Sequence, residues 1–397
     1  MLALVSGGCS TLIGIADPVA GPVAGSDGGG DAPPSDSRVA DASGPNGGGD
    51  GGGSGDGGPD AGPIGAPCIA PPSFAAPDTY PLSGTPGLIA TGDFDRDGKQ
   101  DVAIALTTKV LILHGDGTGT LGRPQELDTA ADGVVAADFE NKVRDALVLW
   151  TVGGSSVVER RQDPSVPGGF LAPQPLAGPF TGVRRVLIGF LDGAFVPDVI
   201  VQDDAERRVY TSSLGTPGTF ARGDAIGAAG DQVIQVANLI GVDNDDVVLV
   251  TAAGGVAIAS QVSSHYEPPL QVATGATTAA GFGRLDASGD DDRDLIVATP
   301  GGGALYRRSD ATAATFSRVA GAIAGVTGST LQIVDVDGDG HDDLVVAGGI
   351  VQQCTPGVFS PLVPFSITAS TVFRDLDGNG KLELLRIVDH TLEVYRQ

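Results

Sequence analysis

The chain has 397 residues, with 49 acidic against 23 basic side chains and a formal net charge of -26; it repels a phosphate backbone and an anionic bilayer alike, which argues against nucleic acid as a partner. Its 62 Gly, 27 Pro and 5% aromatic content point to many short elements joined by turns, an all-β composition. No apolar run approaches the ~18 residues that a membrane-spanning helix needs, so membrane contact is expected only through an attached lipid.

In chain order, Met1 to Gly8 lead into Cys9. This resembles the end of a bacterial lipoprotein signal, with small residues before a lipid-accepting Cys, although Ser6 stands where Leu is usual and the basic start is absent. Residues 1–16 are therefore taken as a partial lipoprotein signal region and Cys9 as its lipidation site, against an ordinary N-terminus with one Cys. Residues 17–66 contain 17 Gly, eight Asp and one Arg. Such a segment has nothing to bury and reads as a disordered tether.

Residues 67–397 are read as one repeat domain. Three segments nearly superpose: Asp93 to Ile104 (DFDRDGKQDVAI), Asp335 to Val346 (DVDGDGHDDLVV) and Asp375 to Arg386 (DLDGNGKLELLR). Weaker copies begin at Asp138, Phe190, Asn238 and Asp286. The seven starts lie 40 to 52 residues apart, the spacing of four-stranded propeller blades. In the first unit the strands are expected at 87–92, 101–106, 109–114 and 121–127. An aromatic before the fourth strand, at Phe170, Phe220, Phe316 and Phe359 with Leu121 in the first unit, is expected to pack between blades. Only two strands fit after the seventh loop, so Pro72 to Leu82, with Phe74, is expected to supply the strand that closes the ring. The fold expected is a seven-bladed β-propeller of four-stranded antiparallel blades.

These motifs, with the glycine-rich His114 to Leu121 (HGDGTGTL), resemble the FG-GAP/VCBS repeat family and, more distantly, the propeller of integrin α-subunits. In D-x-D-x-D-G-x-x-D, carboxylates at positions 1, 3, 5 and 9 with a backbone carbonyl at 7 can surround Ca2+ with oxygen. That assigns Asp93, Asp95, Asp97, Asp101 and the Lys99 carbonyl; Asp335, Asp337, Asp339, Asp343 and the His341 carbonyl; and Asp375, Asp377, Asn379, Glu383 and the Lys381 carbonyl. Asp286, Ser288, Asp290 and Asp294 form a weaker candidate. The competing reading is a set of metal-free Asp/Gly turns. An EF-hand is rejected, because position 12 is Ile104, Val346 or Arg386 rather than Glu.

Cys68 and Cys354 occupy similar places in adjacent units and are expected to form a disulfide, or else to be two unrelated thiols. Trp150 is the ligand-face candidate, opposite the metal loops with Asp203, Asp204, Glu206 and Arg207, or else packing. Arg222, Gly223 and Asp224 spell an integrin-recognition tripeptide by coincidence. No catalytic motif is present. The function expected is a monomeric, calcium-binding, non-catalytic binding or adhesion module for a protein or glycan, extracytoplasmic at a bacterial envelope or surface, or secreted. A propeller hydrolase or lyase acting on an extracellular polymer and a structural subunit of an envelope complex are the alternatives.

Overall fold

The computed structural model describes residues 72–397 except 143, 195, 214–215, 217–218, 240–243, 263–264, 286–292, 309–314 and 320. Cys9, the 17–66 tether and Cys68 lie outside the described residues. Among the described residues no helix is long and apolar enough to cross a membrane.

The repeat folds as the sequence implies. Blade 1 runs Pro86–Gly92, Asp101–Leu106, Lys109–Gly115 and Leu121–Leu127, adjacent in that order. Blades 2 to 6 repeat the pattern, starting at Gly133–Ala137, Arg185–Gly189, Gln232–Ala237, Ala279–Gly283 and Leu331–Val334. Extra two-stranded hairpins decorate blade 4 (Gln261–Val262 with His265–Tyr266) and blade 6 (Gln353–Thr355 with Val358–Phe359).

Residue type follows position in the ring. Second strands are mostly apolar after an opening acid in six of the seven blades, and Asp101–Leu106 and Ala146–Trp150 are buried at every residue, because each lies mid-sheet with a neighbouring blade on either face. Where a first strand approaches the next blade most closely, only a small residue fits. A Cβ on Gly87 would lie 1.9 Å from the Asp132 carbonyl oxygen, and one on Gly283 would lie 2.3 Å from Ile333 Cγ2 of the next blade.

Blade 7 combines Val372–Arg374, Glu383–Val388 and Thr391–Tyr395 with Asp78–Pro81 from the other end of the domain. The register pairs Asp78 with Val394 and Pro81 with Thr391. Leu82 is buried with Leu392 and Val394, and Tyr80 Oη accepts a hydrogen bond from Leu121 N of blade 1 (3.0 Å). The ring is closed by pairing the two ends, as expected, and the closure leaves no open edge between first and last blades.

One packing rule joins successive blades. The second residue of each acidic loop is apolar and buried, and it shares a cluster with the aromatic or leucine of the following blade. Phe170 packs on Phe94 and Phe220 on Phe139, with ring centroids 6.4 and 5.3 Å apart. The remaining pairs are Tyr266 with Leu191, Phe316 with Leu239, Phe359 with Leu285, Phe74 with Val336 and Leu121 with Leu376. Tyr266, which the repeat pattern did not mark, takes this place in blade 4 on an inserted hairpin, as Phe359 does in blade 6.

Candidate metal centre

The acidic loops join first to second strands, and strand register fixes their numbering: Gly92 faces Asp101, Val334 faces Asp343 and Arg374 faces Glu383. In blades 1, 6 and 7 the position-1 carboxylate accepts the amides of positions 4 and 6. Asp93 takes Arg96 N (2.6 Å) and Gly98 N (3.0 Å); Asp335 takes Gly338 N and Gly340 N (both 2.8 Å); Asp375 takes Gly378 N (2.7 Å) and Gly380 N (3.0 Å). Position 3 accepts from position 5, and position 5 from position 7, through Asp95, Asp337 and Asp377 and then Asp97, Asp339 and Asn379. Lys99, His341 and Lys381 thus enter through their backbone N–H groups. This wrapping turns the loop twice through left-handed backbone, at Gly338 (φ 75°) and Gly340 (φ 89°) in blade 6. Blade 1 has Arg96 at the first of these places, at φ 68°. An L side chain there costs about 1–2 kcal/mol, and the guanidinium is held by the Asp163 and Pro164 carbonyls of blade 2, both at 3.1 Å.

The loops gather acidic oxygens. Ligand atoms of Asp93, Asp95 and Asp97 lie within 4.8 Å of one another, as do those of Asp335, Asp337 and Asp339, those of Asp375, Asp377 and Glu383, and those of Asp95, Asp101 and His114. Burial, then neighbouring carboxylates, raises the pKa of Asp95; burial also raises Asp335 and Glu383 and pushes Asp343 up to about 8. Groups so placed take up protons unless a cation neutralises them. Glu383 is fully buried, and its Oε1 has no hydrogen-bond partner. That orphaned oxygen, beside Asp375 and Asp377, is what a hard cation would satisfy, so the residues fit one.

Position 9 has a second job that the motif did not reveal. Asp101, Asp198 and Asp343 each accept the N–H of loop position 2 and an N–H at or just past the end of the third strand: Phe94 and Gly115, Leu191 and Ser212, Val336 and Gln353, at 2.8–3.0 Å. Blade 3 has this brace although its positions 1 and 5 are Phe190 and Ala194. The recurrent acid before the second strand is therefore a backbone brace in its own right. Position 8 was missed altogether: Asp145, Asp245 and Asp342 each reach back to the previous blade and accept from Asp93 N (2.8 Å), Phe190 N (2.8 Å) and Arg284 N (2.7 Å).

The degenerate loops follow the same frame. In blade 2 the position-9 acid is Ala146, and Arg161, at the register place of His114, lies 3.4 Å from Glu140 Oε1. A side-chain cation stands there beside the loop acid. In blade 5 the register puts Arg284, not Asp286, at the place of Asp93. The loop from there to Asp294 is two residues longer than in blade 1, and Asp286, Ser288 and Asp290 of the weaker candidate lie outside the described residues; Asp294 is buried and accepts from Arg308 N (3.0 Å).

Trp150 is not an exposed platform. It is 3% exposed, its ring lies against Gly133, and it backs a cavity of about 290 Å³ with Leu88, Asp132 and Arg184. Of its expected companions, Asp203 and Arg207 are buried, with Arg207 donating to the Ala228 carbonyl. Arg222 and Asp224 lie within the strand Phe220–Ala225, paired with Glu206 (2.7 Å) and His265 (2.8 Å); the tripeptide is strand, not an offered loop. Cys354 is disulfide-bonded, while Cys68, its expected partner, lies outside the described residues.

Compared with protein families and with curated proteins, the sequence matches none. Solved structures do match. An Agrocybe aegerita lectin, described as recognising non-reducing terminal N-acetylglucosamine, is 16% identical with a TM-score of 0.56, over 80% of this chain and 86% of that one. BBS1N, solved in complex with ARL6DN, is 15% identical with a TM-score of 0.54, over 81% and 96%. At these identities the likeness is one of fold. The protein is a seven-bladed β-propeller whose loops bear acidic clusters able to coordinate a metal ion.

Proposed function

We propose that this propeller is a calcium-stabilised, non-catalytic binding or adhesion module of the FG-GAP/VCBS type, with 67–397 as the propeller and 17–66 as its tether. The observation that carries the calcium assignment is the blade 7 loop, where buried Glu383 Oε1 lacks a partner beside Asp375 and Asp377. Oxygen-only donors there select a hard cation over a transition metal. Calcium would neutralise the repelling carboxylates, and its ligands would be the three loop sets assigned from the motif. Binding as the role is supported by the uses of the same fold, a lectin in one case and a partner complex in the other. The ligand class is a glycan or a protein.

The full chain, presented to an array of glycans and envelope proteins, should bind in calcium and lose binding in chelator. Absence of binding in both conditions would overturn the adhesion role. Surface display rests on Cys9: incorporation of a radioactive fatty acid in a bacterial host should be abolished by Cys9→Ser, and equal labelling of both forms removes the anchor.

A further inference from the structure

The strand register gives one position per blade beside the loop acids, just past the third-strand residue that faces the second strand. It is occupied by His114, Arg161, Thr211, Ser260, Arg307, Gln352 and Arg396. Only blade 1 puts an imidazole there. His114 Nδ1 lies 3.2 Å from Asp101 Oδ2 and 3.4 Å from Asp95 Oδ2, and the three groups fall within 4.8 Å of one another.

The opposite edge of the ring has a defined partner. Gln125 Nε2 donates to the Gly168 carbonyl (2.6 Å), which turns its Oε1 towards His114 Nε2 at 2.9 Å. Gln125 Oε1 can only accept, so Nε2 carries a proton and donates. With Nε2 protonated, Nδ1 faces two carboxylates, an arrangement that requires either a second proton, which the Asp101 hydrogen bond favours by pushing the imidazole up to about 9, or a cation between them. A half-buried acceptor that orients a histidine through its distal N–H is the kind of outer-shell support a metal-bound imidazole receives.

We propose that blade 1 holds a mixed nitrogen–oxygen site for a zinc-class transition-metal dication, formed by His114 Nδ1, Asp95 and Asp101. Ligands about 2.05 Å from a tetrahedral zinc ion stand about 3.3 Å apart, and the two nitrogen–oxygen separations bracket that value. Imidazole suits such ions and not calcium. Asp101 is fully buried, whereas Asp95 and His114 retain partial exposure. The site shares Asp95 and Asp101 with the calcium set of the same loop, so in this blade the two ions compete; the inference does not rest on calcium binding by blades 6 and 7.

The test uses the metal-free full chain titrated with Co2+ and read by visible ligand-field absorption, with Zn2+ as competitor. One equivalent should bind with the intensity of a tetrahedral nitrogen–oxygen site and be displaced by Zn2+. His114→Gln, which copies the Gln352 of blade 6, should abolish the band, and Gln125→Leu should weaken binding by ~10–100-fold; His341→Gln should leave it intact. Absence of the band in the parent chain, or its survival in His114→Gln, would overturn the proposal. Parallel calcium titration separates the two assignments, because His114→Gln leaves the loops of blades 6 and 7 untouched.

Discussion

In about 10 mM calcium the chain should be more stable than in chelator by about 4–8 kcal/mol. Three loops with dissociation constants of ~10⁻⁴ to 10⁻³ M each contribute about 1.4–2.7 kcal/mol at that concentration. Urea denaturation in both conditions measures the difference. Asp377→Ala sharpens the test. Asp377 caps its own loop by accepting from Asn379 N, so a metal-free turn would lose the same small amount of stability with or without calcium. A calcium ligand behaves otherwise: the variant should lose about a third of the calcium increment, while in chelator the relief of repulsion with Asp375 and Glu383 offsets the lost cap. Equal destabilisation in both conditions would reduce the loop to a turn.

Acidification should stabilise the metal-free propeller, with unfolding free energy rising by about 2–4 kcal/mol between pH 8 and pH 5.5. Two buried carboxyls away from the three full loops contribute to this, beside Asp343 and Asp145. Burial pushes Asp198 from 3.8 up to about 7 and Glu159 from 4.5 up to about 7, with the Arg161 guanidinium pulling Glu159 partly back. Folded chains thus hold protons that unfolded chains release above about pH 4.5. The stabilisation is complete below the unfolded values and is lost as pH rises through 7, because the native state binds more protons across that window. Self-repulsion from a net charge of -26 acts in the same direction. Asp198→Asn should flatten part of the slope, with Asp343, pushed up to about 8, and Asp145, pushed up to about 6, accounting for much of the remainder. Stability that falls steadily from pH 8 to pH 5.5 in chelator would contradict the assignment of these groups as buried and uncompensated.

Much of the architecture was legible because its determinants are local. Apolar β-branched runs such as Val102–Leu106, interrupted by Asp and Gly at a fixed spacing, specify strand, turn and strand without reference to anything distant. Repetition at blade length then gave the blade count, and the shortfall at the C-terminal end required Pro72 to Leu82 to complete the last sheet, which the Asp78–Val394 register bears out. The loops were legible for the same reason: positions 1, 3 and 5 lie within a few bonds of one another and wrap their own backbone.

What the sequence could not display are partners brought together by ring geometry. Asp145 and Asp93 N are 52 residues apart, and Asp342 and Arg284 N are 58 apart; no local pattern marks position 8 as an interblade acceptor. His114 meets Asp101 only across the sheet, and whether a blade has His114, Arg161 or Gln352 beside its loop depends on register rather than on spacing from the motif. Trp150 is decided in the same way. Its place at the end of a second strand was readable, but close packing lays it against Gly133 and buries it. The chain by itself determined a closed ring of seven blades with acidic loops, because those follow from short-range pattern and repetition. Tertiary structure alone decided which carboxylate braces backbone, which bridges blades and which is left to hold a cation, because each outcome depends on the few ångströms between groups that only the closed ring brings into contact.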